Sequence, residues 1–268
     1  MRSTVKAIQY AALVTAGLMI STACWANDSL RTAQNIARDQ ARHPHQTLAF
    51  FELKHSDTVV EVWPGGGWYT EILAAKLHPH GKLYTAHFPT DLDNAFFKRM
   101  REQFADKLQT SPVYKNVTLT SFHPASQSPI APDNSVDKVF TFRNLHNWYM
   151  YNGDEAAVAA FKQFYKALKP GGVLGVVDHR LPEHLEQKSH IKSGYIKMSL
   201  AISWALQAGF VLEASSEINA NTKDTADHAS GVWTLPPTLR GLKTAAEKEK
   251  YQNIGESDRF TLKFRKPI

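Results

Sequence analysis

Three stretches of this 268-residue chain are equipped to hold and react with a small ligand. In the first, Glu61 is followed by Trp63, Pro64, the consecutive glycines Gly65, Gly66 and Gly67, and then Trp68 and Tyr69. Glycine lets the main chain turn sharply and approach a ligand without a Cβ in the way. Amides exposed where a helix then begins favour a negative group such as a carboxylate.

The second stretch packs Arg143, Asn144, His146, Asn147, Trp148 and Tyr149 together. Histidine titrates near neutral pH and can take a proton from a hydroxyl or an amine, which makes His146 the first choice for a base. Asn144 and Tyr149 are its polar neighbours, and Arg143 suits a carboxylate clamp. A structural hydrogen bond to a loop carbonyl is the competing role for His146.

The third stretch is Asp178, His179 and Arg180, to which Asp227 and His228 from later in the chain could add an acid–base or metal site. Imidazole and carboxylate suit several divalent metals, but no close spacing such as His-Glu-x-x-His occurs, so no metal ligand is assigned. Trp148, Asp178, His179, Arg180 and His228 are read as substrate contacts.

These residues need a frame, and the hydropathy pattern supplies one. Short apolar runs at 58–63, 82–88, 117–122, 136–142, 173–178, 211–218 and 259–265 read as strands. Between them lie segments of helical period, with Leu92, Phe96, Met100, Phe104 and Leu108 on one stripe and Val158, Phe161, Tyr165 and Leu168 on another. That alternation is the signature of βαβ units around a parallel sheet, where ligands sit beyond the carboxyl ends of the strands. Residues 219–258 form a long insertion between the last two strands, and 221–240 within it is a candidate lid.

Composition narrows the class. At 43% hydrophobic and 21% charged, with 14 Gly and 13 Pro, the chain has no disordered bias and reads as one decorated domain over 27–268. Residues 1–26 have the order of a secretory signal peptide: a basic start, an apolar stretch at 7–20 and a small-residue end at Ala26. The apolar stretch is short of the roughly 20 residues a membrane span needs. Cleavage after Ala26 removes the only cysteine and leaves a periplasmic or secreted protein; a lipoprotein anchored through Cys24 is the alternative. Without Arg2 and Lys6 the 31 basic residues become 29 against 25 acidic ones, too slight an excess to argue for nucleic acid. Oligomeric state is not legible.

The order of Glu61 with Gly65 to Gly67, then Ser128-Pro-Ile-Ala-Pro-Asp-Asn-Ser-Val-Asp137, then Leu168-Lys-Pro-Gly-Gly172, resembles class I S-adenosylmethionine (SAM) dependent methyltransferases. Within them it is similar to a group of predicted, often exported, bacterial methyltransferases with a Trp-Pro-Gly-Gly-Gly-Trp-Tyr-Thr turn, here Trp63 to Thr70. Phe142-Arg-Asn-Leu-His-Asn-Trp148, Val177-Asp-His-Arg180 and the C-terminal Ser257-Asp-Arg-Phe-Thr-Leu-Lys-Phe-Arg-Lys-Pro267 share that similarity. The resemblance implies a doubly wound, mostly parallel seven-stranded Rossmann-like α/β sheet with an antiparallel last strand. It also implies SAM as cofactor, held by Glu61, Trp63, Pro64, Gly65, Gly66, Gly67, Trp68 and Tyr69 with His87 and Arg143, and a small-molecule acceptor over the segment 142–148.

The sequence departs from the family at three places: Trp63 stands where the first glycine of the turn is usual, His87 where an acidic residue would grip the ribose, and Phe122-His-Pro-Ala-Ser-Gln127 offers only neutral side chains near the adenine. A second reading therefore stands beside methyl transfer, a repurposed exported ligand-binding protein on the same fold. A bend plugged by the Trp63 indole, with no cavity beside it, would remove the enzymatic reading.

Overall fold

Val59, Val60, Glu61 and Val62 are all buried, so the strand they form, β1 (Thr58–Val62), is covered on both faces, as a central parallel strand must be. It pairs in parallel with β2 (Lys82–His87) on one side and β4 (Val136–Phe142) on the other. The computed structural model describes residues 31–126 and 128–268. The signal peptide expected at 1–26, with Cys24, falls outside them.

Beyond β2 lies β3 (Val117–Ser121), and beyond β4 come β5 (Leu168–Leu181), β8 (Arg259–Arg265) and β7 (Val211–Ser216), in the order β3-β2-β1-β4-β5-β8-β7. Only β8 runs antiparallel to its neighbours along this path. The seven strands read from the sequence are thus present. An eighth, β6 (Ile196–Lys197), pairs with the far end of β5, which runs past Asp178 to Leu181.

Helices cover both faces. A lead-in of three short helices, α1 (Ala33–Ala37), α2 (Asp39–Arg42) and α3 (Pro44–Phe50), precedes β1. With α4 (Trp68–Leu77) and α5 (Ala95–Leu108) it covers one face, where Leu48, Phe51, Val59, Ile72, Leu83 and Phe140 form one core cluster. On the other face α6 (Leu145–Ala167) and α7 (Met198–Gln207) bury Phe161, Phe164 and Trp204 against Val60, Val62 and Val139. Alternate residues of β1 therefore feed opposite cores, the period-two rule of a strand.

The insertion 219–258 has structure of its own. It contains α8 (Ala245–Ile254), begun by a capping box in which Thr244 and Glu247 bond each other's main-chain amides. Buried Asp224 ties it down, accepting from Tyr195 Oη at 2.9 Å, His228 Nε2 at 2.8 Å and the amide of Asp258 at 2.8 Å. Among the described residues no helix is long and apolar enough to cross a membrane.

Candidate functional site at the ends of β1, β4 and β5

β1 is where the strand order reverses, and the chain there turns through Trp63 to Gly67 with Trp63, Gly65 and Gly67 at positive φ (+47°, +58° and +81°). Trp63 thus holds a left-handed conformation usual for glycine, at a cost of roughly 1–2 kcal/mol for a bulky residue. Its amide donates to the Ala86 carbonyl at 2.9 Å and its indole Nε1 to the Phe122 carbonyl at 2.8 Å. The ring sits edge-on to Phe88, Phe122 and Trp148, so burial and a hydrogen bond offset the strain.

The carbonyls of the turn are drawn away from the ligand side. His87 Nε2 lies 3.2 Å from the Gly65 carbonyl oxygen, and Lys107 Nζ donates to Gly66 at 2.9 Å and to buried Glu71 at 2.6 Å. Among the described residues no protein acceptor takes the amides of Gly65 or Gly66, and Gly67, at the start of α4, offers no side-chain cap. A Cβ built on Gly65 or Gly66 meets nothing within 4 Å. The turn therefore has two amides without a protein acceptor at the edge of a cavity, the arrangement that receives a carboxylate or phosphate.

That space is two cavities separated by the Trp63 indole. One, about 430 Å³, is polar and is walled by the turn, by Glu61, Arg143, Asn144 and His146, and by Trp233 from the insertion. The other, about 710 Å³, is mostly aromatic, with Phe88, Phe97, His123 and Tyr151 around it. Trp63, Gly65, Asn144 and Asn147 line both, so the indole divides the site without plugging it.

In the polar cavity the side chains are fixed by their neighbours. Glu61, fully buried, accepts from Thr70 Oγ1 at 2.6 Å, and burial pushes its carboxyl up to about 7. Asn144 spends its amide nitrogen on the Val62 carbonyl at 2.9 Å and Thr141 Oγ1 at 3.1 Å, leaving its amide oxygen available. Asp178, wholly buried, caps the start of α6 by accepting from the Leu145 amide at 2.6 Å and holds His146 Nδ1 at 3.1 Å. The Asp178 bond assigns the proton to Nδ1, so Nε2 is the basic nitrogen of a residue that lines the cavity. His179, whose ring centroid is 5.2 Å from that of His146, rests its Nδ1 on Ser257 Oγ at 2.5 Å. Burial, His146 and Arg143 hold its imidazole well below the usual histidine range.

His146, Asp178 and His179 offer ligand atoms within 4.8 Å of one another, the donor set of a divalent metal. Against that use, Asp178 already accepts three N–H groups, from Leu145, His146 and His179, and Arg143 and Arg259 set positive charge beside His179.

Several residues expected in the site are placed elsewhere. His87 is fully buried with Nδ1 taken by the Phe88 amide and Nε2 at the Gly65 carbonyl, so it props the turn from beneath instead of gripping a ribose; burial pulls it down to about 4. Trp148 is wholly buried in the core, and Tyr149 packs on Trp204 at 5.6 Å, because α6 begins at Leu145 and turns its 145, 148 and 149 face inward. Arg180 pairs with Glu217 and Asp258 away from the cavity, and His228 is engaged by Asp224. Gly67 caps α4 with its Cβ position 3.0 Å from Phe104. Asp178 acts through His146 and does not itself line the cavity.

Glu61, Trp63, Pro64, Gly65, Gly66, Trp68, Tyr69, Arg143, Asn144, His146 and His179 do come together around it. Missing from the sequence reading were Arg38 and Arg42 on the lead-in helices and their partner Glu256. The sequence signal for the two arginines is the spacing of basic residues at 31, 38 and 42.

No family model matches the chain, and no curated protein matches it in sequence. Solved structures do share its fold. The [4+2]-cyclase SpnF is 20% identical with a TM-score of 0.60, over 91% of this chain and 86% of that one. A SAM-dependent methyltransferase from Aquifex aeolicus is 17% identical at a TM-score of 0.55, over 86% and 93%. Another from Methanosarcina mazei is 12% identical at 0.53, over 82% and 97%.

Proposed function

We propose that this chain is a SAM-dependent methyltransferase acting on a small-molecule acceptor. The observation that carries the reading is the pair of unbonded amides at Gly65 and Gly66, in the wall of a cavity at the switch point of a sheet whose solved likenesses include SAM-dependent methyltransferases. The residues fit the cofactor in kind. The turn amides and the start of α4 suit its carboxylate, Glu61 suits its ammonium, and the aromatic cavity suits its adenine. Arg143, named with the cofactor on sequence grounds, borders the same arm. The cofactor supplies a methyl group on a sulfonium, transferred by in-line displacement, so alignment is most of what the protein contributes.

The chain's own part is proton handling and exclusion of water. His146, its ring fixed by Asp178, takes the acceptor's proton at Nε2 where the acceptor has one to lose. Trp233 and Pro236 from the insertion cover the polar cavity. Export after Ala26, with Cys24 lipidation as the alternative, belongs to the same proposal, and the N-terminal residue of protein purified from its native host decides between them.

Equilibrium dialysis with methyl-labelled SAM tests the reading. The account expects micromolar retention, about 8 kcal/mol, and loss of retention in Gly66→Val, whose new side chain meets ligand space and no protein atom. Equal retention by both proteins would contradict it. The second reading, a repurposed fold, is favoured by Trp63 in the turn, by the missing acid after β2, and by a cyclase being among the structures of this fold. A folded protein that retains no SAM would establish that second reading in place of the first.

A further inference from the structure

The polar cavity carries more positive charge than its own residues neutralise. Arg38, Arg42 and Arg143 line it with two carboxylates, Glu256 and Glu61, of which Glu61 is engaged by Thr70 and raised by burial to about 7. Glu256 is already divided among three guanidiniums: Arg38 Nε at 3.0 Å, Arg42 Nε at 2.9 Å and Arg259 Nη1 at 3.2 Å. Arg42 is 2% exposed with its carbon Cζ 4.7 Å over the Trp68 ring, and both its terminal nitrogens are buried without a hydrogen bond. Arg143 makes no side-chain hydrogen bond among the described residues. Its main chain is held at φ +63°, with its amide on the Val177 carbonyl at 2.7 Å, which fixes the residue between the ends of β4 and β5.

The buried guanidinium of Arg42, with unused N–H groups, is costly unless a fork-shaped oxyanion completes it, and half-buried Arg143 brings its own unused N–H groups to the same cavity. Burial, Arg259 and Arg38 together outweigh Glu256 and lower Arg143 to about 10, so the protein's own groups leave this cation under-compensated. The amides of Gly65 and Gly66 already offer a place for the cofactor's carboxylate, and a SAM molecule carries a net positive charge of its own. The surplus cations therefore call for a second anion.

We infer that Arg143, backed by Arg42 and Arg38, is an oxyanion subsite for the acceptor, which is a small molecule bearing a carboxylate or phosphate next to the atom that His146 deprotonates. As a statement about the acceptor this rests on the methyl-transfer reading; as a statement about the subsite it does not. Arg143, His146 and His179 line the same cavity with the two imidazole rings 5.2 Å apart, so an anion held by Arg143 shares that cavity with His146.

The experiment uses the whole protein and its own fluorescence, since Trp63, Trp68 and Trp233 line the cavity. Inorganic phosphate and benzoate are titrated separately, with and without saturating S-adenosylhomocysteine (SAH), into the native protein, Arg143→Gln and Arg143→Lys. The inference expects saturable binding of at least one oxyanion, unaffected or tightened by SAH. It expects at least tenfold weakening in Arg143→Gln and a partial loss in Arg143→Lys, with melting temperatures near the native value. The stronger of the two probes identifies the source as carboxylate or phosphate. Displacement of the oxyanion by SAH would assign Arg143 to the cofactor and overturn the inference, as would the absence of saturation with either anion. Should Arg143→Gln fail to fold, Arg38→Gln replaces it, with at least threefold weakening expected and unchanged binding counting against the subsite. Oxyanion binding in a protein that takes up no SAH would uphold the subsite while removing methyl transfer.

Discussion

The two cavities on either side of Trp63 are made of different material. The aromatic one is walled by rings from the β2–α5 connection, α5, the β3–β4 loop and α6, among them Phe88 and Phe97 stacked at 4.1 Å, and offers shape and apolar surface. The polar one is walled by groups whose hydrogen bonds are assigned in advance: Glu61 by Thr70, His146 by Asp178, Asn144 by Val62 and Thr141. A ring stack tolerates many planar guests, whereas a set of oriented donors and acceptors selects one arrangement. One side thus suits a common handle and the other decides what is done with it.

Four changes break or sharpen this contrast, ordered by expected size. The largest is Gly66→Val. Its Cβ meets no protein atom, so the melting temperature should stay near native while SAH affinity falls at least a hundredfold; retained affinity would move the ligand off the turn. Next is His146→Ala, which should slow methyl transfer about 10²–10⁴-fold once an acceptor with an ionisable hydrogen is identified, while SAH affinity stays within threefold. An equal loss of SAH binding would place His146 in the cofactor arm.

The third is a pH effect confined to the polar side. Glu61 is raised to about 7 from an ordinary carboxylate value, so its protonated form is favoured by folding. Its contribution to stability is full below about pH 4.5 and is lost as pH rises through 7. A ligand ammonium needs the ionised carboxylate, so SAH affinity should rise by up to tenfold per unit between pH 5 and 7, and Glu61→Gln should flatten that slope. A slope that survives in Glu61→Gln would assign it to another group. The smallest is Trp63→Phe. It removes the indole bond to Phe122 and keeps an aromatic divider, which should lower stability by about 1 kcal/mol in denaturant melts and SAH affinity by no more than threefold.

The insertion obeys the same contrast. Asp224 pins residues 224–228, while Trp233 and Pro236 reach the polar cavity. Limited proteolysis should therefore show SAH protection within 233–244 and none within 221–230.

Local signals were legible in the sequence and long-range ones were not. The β1–turn–α4 unit and the strands follow from periodicity and glycine placement, and they appear, whereas Trp148 and Tyr149 of the polar and aromatic cluster turn into the core. Which faces of 145–149 point inward depended on where α6 begins, and that start is set by Asp178 from β5, over thirty residues on. Arg38 and Arg42 join the site through Glu256, 218 and 214 residues away in sequence, a pairing no local pattern encodes. His87 was placed at the right strand end, but burial, which a sequence does not print, turned its nitrogens to the turn. The helix α8 was legible through Thr244 and Glu247 and was passed over as loop.

If one ligand lies across both cavities past the Trp63 indole, its two halves must compete for the same protein. Calorimetric titration of SAH into the purified protein, alone and with saturating adenosine, measures this. The account predicts one site of micromolar affinity that adenosine weakens in proportion to its own occupancy. No heat with SAH from a folded sample, or SAH binding indifferent to adenosine, would contradict it.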